Sequence, residues 1–122
     1  MLATDESVVG DFSGVGLSYG DGRAVFRKQD GAFWMDYLRR GELIRRFRIT
    51  RTIGWRYFQE YIGVQVQGPE PPGDPLYTAE TRLNFGYTLK AKRWLPRSYF
   101  DPLKGSEYRE DGHLRHDPFV PD

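Results

Sequence analysis

The chain predicts an all-β fold, an antiparallel meander of about five to seven strands forming a curled open sheet, a small barrel or a sandwich. Three observations carry this expectation. "RLNFGYTLKAKRWL" alternates Leu83, Phe85, Tyr87, Leu89 and Ala91 with Arg82, Asn84, Gly86, Thr88, Lys90 and Lys92. That period of two sets one row against a core and the other in water. "RAVFRKQDGAFWMDYL" places Asp30-Gly31 between two β-prone runs, a hairpin signal because a tight turn needs residues that tolerate positive φ. Finally, "LIRRFRITRTI" resumes the alternation after a second turn at "RRGE", residues 39–42.

The elements follow in order. "MLATDESVVG" reads as a segment cut from a longer protein, with an added initiator Met1. The glycines of "GDFSGVGLSYGDG" make no phosphate loop, since no lysine follows a glycine there and no helix follows either. They suit turns and bulges. In the run after the second turn, Phe47, Ile49 and Ile53 are expected to point one way, and Arg46, Arg48, Thr50 and Thr52 the other. Arg51 lands on the apolar side, where it must sit at the edge or snorkel outward. Trp55, Phe58 and Ile62 also fit helical spacing, which leaves one helical turn open there. From Phe58 onward a strand is expected, with Ile62, Val64 and Val66 inward and tyrosine and glutamine opposite.

"GPEPPGDP", residues 68–75, has four prolines and two glycines, so it joins two strands as an irregular loop. Residues 82–95 are expected as one continuous strand, with Leu83, Phe85 and Leu89 buried and Lys90 and Lys92 exposed. Beyond residue 100 the pattern stops, and 101–122 reads as an extended tail leading to a missing segment. The whole chain, 1–122, is one domain with its β core over about residues 8–100.

Composition narrows the function classes. Apolar residues make up 39% and aromatics 16% of the 122 residues, so rings should dominate the core. There is no cysteine, which removes disulfides, thiolate metal sites, a cysteine nucleophile and covalent c-type haem attachment within this chain. No apolar run is long enough for a membrane-spanning helix, and the N-terminus lacks the charged and apolar regions of a signal peptide. A soluble domain with no membrane insertion is expected. Net charge is only +1, but it is distributed in blocks. Residues 1–22 carry −4, 23–56 carry +7, 57–81 carry −4, 82–104 carry +5 and 105–122 carry −3. Bases concentrate in strands, acids in loops and tails.

Arg46, Arg48, Arg51 and Arg56 near Trp55 and Tyr57 suggest an aromatic platform in a basic field, as in sheets that bind single-stranded nucleic acid. No ribonucleoprotein-type or KH-type motif accompanies them, and overall charge is near neutral. Alternating Arg and Thr more simply make the solvated face of a sheet, so no nucleic-acid partner is expected. No catalytic residue is assigned. The only histidines, His113 and His116, lie in the tail, and Asp36 and Glu60 have no companion at a revealing spacing. Two histidines without cysteines or carboxylate geometry make a poor closed metal site. One of them could still serve as an axial ligand to a haem supplied by another segment.

Several phrases, taken in order, resemble the β-sheet inserts between haem-binding segments of large periplasmic multihaem c-type cytochromes, some of which carry tetratricopeptide repeats. Val9-Gly10-Asp11-Phe12 matches their opening, "RKQDGAFWM" (27–35) their hairpin, and Ile53-Gly54 with Gln59-Glu60-Tyr61-Ile62 the next element. Trp94-Leu95-Pro96 matches the closing strand. The family's Cys-x-x-Cys-His motif is absent, so no haem-binding residue carries over. The resemblance implies a non-catalytic scaffold for an electron-transfer parent, extracytoplasmic, partnered by flanking haem segments of the same polypeptide. Haem c would belong to the parent, with His113 and His116 as distal-ligand candidates there. It also implies exposed rings left by the missing neighbours. The alternatives are a stand-alone β-barrel or sheet holding a small ligand, or a single-strand nucleic-acid binder.

Overall fold

The computed structural model describes residues 1–54, 56–97 and 118–120. Seven strands run antiparallel in sequence order, each paired with the next. They are β1 (Ser13–Tyr19), β2 (Gly22–Gln29), β3 (Ala32–Arg39), β4 (Glu42–Gly54), β5 (Phe58–Gln67), β6 (Thr81–Thr88) and β7 (Arg93–Pro96). The sheet curls until it nearly closes as a barrel. Phe26 of β2 stacks on Trp94 of β7 with centroids 3.8 Å apart, although four strands separate them along the ladder. Tyr37 of β3 meets Phe85 of β6 edge-on at 5.4 Å.

Local chemistry explains the turns. Asp30-Gly31 and Arg40-Gly41 both have positive φ at both residues (53° and 75°, 52° and 81°), the requirement of the turn whose twist matches a β-hairpin. At the β1–β2 turn, Gly20 supplies the positive φ, 60°. The proline loop between β5 and β6 ends in a single 3₁₀ turn, Pro75–Tyr77, whose N-cap Asp74 accepts a hydrogen bond from the Leu76 amide at 2.9 Å.

The interior is filled by side chains from all of β2–β7. Ala24, Phe26, Phe33, Met35, Tyr37, Phe47, Ile49, Tyr61, Leu83, Phe85, Tyr87 and Trp94 are buried. The rings pack mainly edge-to-face, an arrangement worth about 0.5–1.5 kcal/mol per pair beyond the area buried. Each end of the barrel receives an aromatic from outside the strands. Phe12, just before β1, lies 5.1–6.3 Å from Phe33, Trp94, Tyr61 and Phe26. At the opposite end Phe119, 1% exposed, sits over Gly22, where a Cβ would collide with its ring. There it packs on Tyr37 and Phe85. Asn84 holds this turn by donating from Nδ2 to the carbonyls of Pro118 and Val120 at 3.1 and 2.9 Å.

Several expectations are corrected. Residues 82–95 are not one strand: β6 ends at Thr88, residues 89–92 turn, and β7 begins at Arg93. The alternation runs on through the turn, where Leu89 is 37% exposed and its amide bonds the Tyr57 carbonyl at 2.9 Å. Lys90 and Lys92 are exposed as expected. On β5 the rows are inverted. Gln59, Tyr61 and Gln65 are buried, Ile62 and Val64 are half-buried, and Val66 is 46% exposed. Polar partners brought in by loops at both ends satisfy the two glutamines, so apolarity does not decide the row. On β4 a bulge between Ile49 and Arg51 shifts the register against β5 and reverses the alternation. Thr52 is therefore buried and Arg51 exposed.

At the N-terminus, the Ala3 and Thr52 amides donate to the Thr50 and Met1 carbonyls at 3.0 and 2.8 Å, pairing Met1–Ala3 with β4. In the tail, Phe119 is a core residue. Most of the described rings are buried, Trp34 lies half-buried beside Arg27 on the outer row, and among the described aromatic residues only Tyr57 (58%) is largely exposed.

Candidate functional site

Of the four arginines singled out from sequence, Arg46 and Arg51 are held by acids. Asp36, only 7% exposed, sits between Arg27 and Arg46 with contacts of 2.8 and 2.9 Å. Arg51 pairs with Glu80 at 2.8 Å, and Arg82 pairs with the buried Glu60. Arg56 lies over the Tyr57 ring, 5.2 Å from its centroid. Asp36 and Glu60 are thus ion-paired with arginines from neighbouring strands. Cross-strand register brought them together, which no spacing along one strand displays. Arg48 is exposed and has no ion-pair partner among the described residues. Trp55, His113 and His116 lie outside the described residues.

The phrases behind the resemblance converge at one end of the barrel. The Val9 amide donates to Gln59 Oε1 at 2.9 Å, and Gln59 Nε2 donates to the Ser7 carbonyl at 2.7 Å. The Gly10 amide donates to Tyr61 Oη at 3.0 Å, and Tyr61 Oη in turn donates to Gln59 Oε1. Trp94 Nε1 donates to the Asp11 carbonyl at 3.0 Å. Asp11 Oδ1 accepts from the Ser13 amide at 3.0 Å, turning the chain into β1. Gly10 is required by close approach, since a Cβ would lie 2.5 Å from Tyr61 Oη and 2.8 Å from the Trp94 ring. Burial pushes the Tyr61 phenol well above its ordinary range, and the Gly10 amide offsets only part of this. The hydroxyl therefore stays protonated and works as a hydrogen-bond relay inside the plug.

The opposite end has a charged latch. Arg45 Nη1 contacts both Glu70 carboxylate oxygens at 2.8 and 2.7 Å and Gln65 Oε1 at 3.0 Å. Gln65 Nε2 donates to Glu70 at 2.6 Å. Tyr77 Oη lies 2.8 Å from the carbonyl oxygens of both Gly68 and Glu70, between which its single proton is shared, and this fixes the proline loop over the latch. Burial alone would raise the Glu70 carboxyl pKa, but hydrogen bonds from Gln65 and Arg45 outweigh it and hold the group below its usual value.

One surface was not found from sequence. The ladder leaves β1 and β7 as the two edges, and a groove of about 290 Å³ lies along this seam. Val15, Leu17, Tyr87, Trp94 and Leu95 supply its apolar lining, and Asp11, Lys92 and Arg93 its charges. Burial, and secondarily Asp11, raise the Tyr87 phenol pKa. Reading 82–95 as one strand hid this seam. The signal that would have exposed it is Pro96, which cannot donate to a ladder and so favours an edge strand.

Among the described residues no three or more His, Cys, Asp or Glu side chains group as a metal site. No described helix is long and apolar enough to cross a membrane. The class the fold defines is a seven-stranded antiparallel meander, nearly closed as a barrel over an aromatic core. No family model matches the chain, and no curated protein or solved structure does either.

Proposed function

We propose that this chain is a non-catalytic β-barrel scaffold and interaction domain of a multihaem c-type cytochrome, set between haem-binding segments of one extracytoplasmic electron-transfer polypeptide. The supporting observation is the convergence just described. Val9–Phe12, Gln59, Tyr61 and Trp94 occur in separate phrases of the resemblance and interlock in one plug. The residues that give the sequence its character therefore hold the barrel shut. Rings fill the interior, which weighs against a barrel built around a small ligand. Paired arginines on the outer face weigh against a nucleic-acid platform.

Covalent haem attachment has no cysteine in this chain. Haem c would belong to the flanking segments, and His113 and His116 remain the candidates to reach it as distal ligands. The full reading frame tests the reading: Cys-x-x-Cys-His motifs on both sides support it, and their absence on both sides ends it. In the parent, loss of a low-spin spectrum in only one of His113→Ala and His116→Ala would identify a ligand.

A further inference from the structure

We infer that the β1–β7 seam is a docking site for an extended peptide segment bearing acidic side chains, bound as an added strand along β1. The backbone supplies the first half of the case. In an antiparallel ladder alternate residues turn their N–H and C=O groups away from the neighbouring strand. Among the described residues β1 pairs only with β2, in continuous register from Val15 to Tyr19. Its other edge offers the hydrogen-bonding template that strand addition uses. β7 cannot serve equally, being four residues long and ending at Pro96.

Side chains supply the second half. The groove beside this edge is at the small end of the roughly 300–1,000 Å³ range of small-molecule pockets. Its apolar floor, Leu17, Trp94 and Leu95 with exposed Val15 at the lip, suits alternate side chains of a strand. Charge then selects the occupant. Lys92 and Arg93 stand exposed on the β7 side, with Lys90 on the same hairpin. On β1, Arg23 from the next strand reaches across Gly16, where a Cβ would lie 2.4 Å from its guanidinium, and donates to Ser18 Oγ at 2.9 Å. Two bases, Lys92 and Arg93, line the groove, and Asp11 is the only acid among the lining residues. An acidic strand is complementary and a basic one is opposed. This needs only the isolated domain, so it stands or falls separately from the haem setting.

The test uses the full chain and a fluorescein-labelled octapeptide of alternating Glu and Val, with an alternating Lys and Val peptide as comparison. Anisotropy should give saturable binding on the order of 10–100 µM for the acidic peptide at moderate salt. The double substitution Lys92→Glu, Arg93→Glu should weaken it about tenfold or more. Amide shifts should change at residues 15–19 and not on the outer face around Arg48. Four results would overturn the inference. These are no saturation by 1 mM, equal binding of the basic peptide, shifts centred on β4, or a dimer through β1 that excludes the peptide.

Discussion

Replacing Gly10 by alanine probes the plug with one methyl group. The added Cβ would meet Tyr61 Oη at 2.5 Å and two Trp94 ring carbons at 2.8 Å. Neither neighbour is free to yield. Tyr61 is fully buried and hydrogen-bonded to Gln59, and Trp94 is stacked on Phe26. Overpacking of this kind costs about 1–3 kcal/mol. Moving the Tyr61 hydroxyl also breaks the bond from the Gly10 amide, a further loss of about 1 kcal/mol. The expected destabilisation is therefore about 2–4 kcal/mol. Gly54 is the matched control: nothing lies within 4 Å of its built Cβ and its φ is not positive. Gly54→Ala should be neutral or stabilising by up to about 1 kcal/mol. Urea denaturation followed by tryptophan fluorescence measures both, with m unchanged. If Gly10→Ala falls within about 0.5 kcal/mol of wild type, or matches Gly54→Ala, the close approach of the plug to Tyr61 and Trp94 is refuted.

Phe85→Ala removes a fully buried ring that touches Phe26, Tyr37 and Phe119, and denaturation should show a loss of about 3–5 kcal/mol. Hydrogen bonds from Gln65 and Arg45 outweigh burial and hold the Glu70 pKa below its ordinary carboxylate value. Its contribution is thus present above that value and lost as pH falls through the folded pKa. Glu70→Gln should flatten the acid limb of the stability–pH curve, and an unchanged limb would remove Glu70 from the latch. Single-stranded DNA should bind no tighter than about 10⁻⁴ M at physiological salt. Micromolar binding abolished by Arg48→Glu with Arg56→Glu would contradict that expectation.

The meander and its first hairpins were legible because turn chemistry is local. Asp30-Gly31 and Arg40-Gly41 declare themselves in two residues, and the alternation around Leu83 and Phe85 marks a half-buried strand. Which row faces inward was less legible wherever loops intervene. Gln59 and Gln65 read as solvent-facing, yet Ser7 and Val9 from the N-terminal segment and Glu70 from the loop after β5 satisfy them inside. A bulge at Ile49–Arg51 is a single-residue event that alternation cannot anticipate, and it moved Thr52 inward. Phe119 was hidden because it lies in a proline-broken stretch without alternation, while its packing partners lie on β3 and β6. Among site residues, the arginines were visible but their carboxylate partners were not, since Arg27, Asp36 and Arg46 meet only through register across three strands.

The central claim is that the N-terminal phrase closes the aromatic barrel against β5 and β7. A two-dimensional nuclear Overhauser spectrum of the full chain tests it most directly. Cross-peaks from the Phe12 ring to the Trp94, Tyr61 and Phe33 rings are expected, since their centroids lie 5.1–5.5 Å away, with Gly10 protons shifted by the adjacent rings. A Phe12 ring with free-peptide shifts and no cross-peak to Trp94 would contradict it.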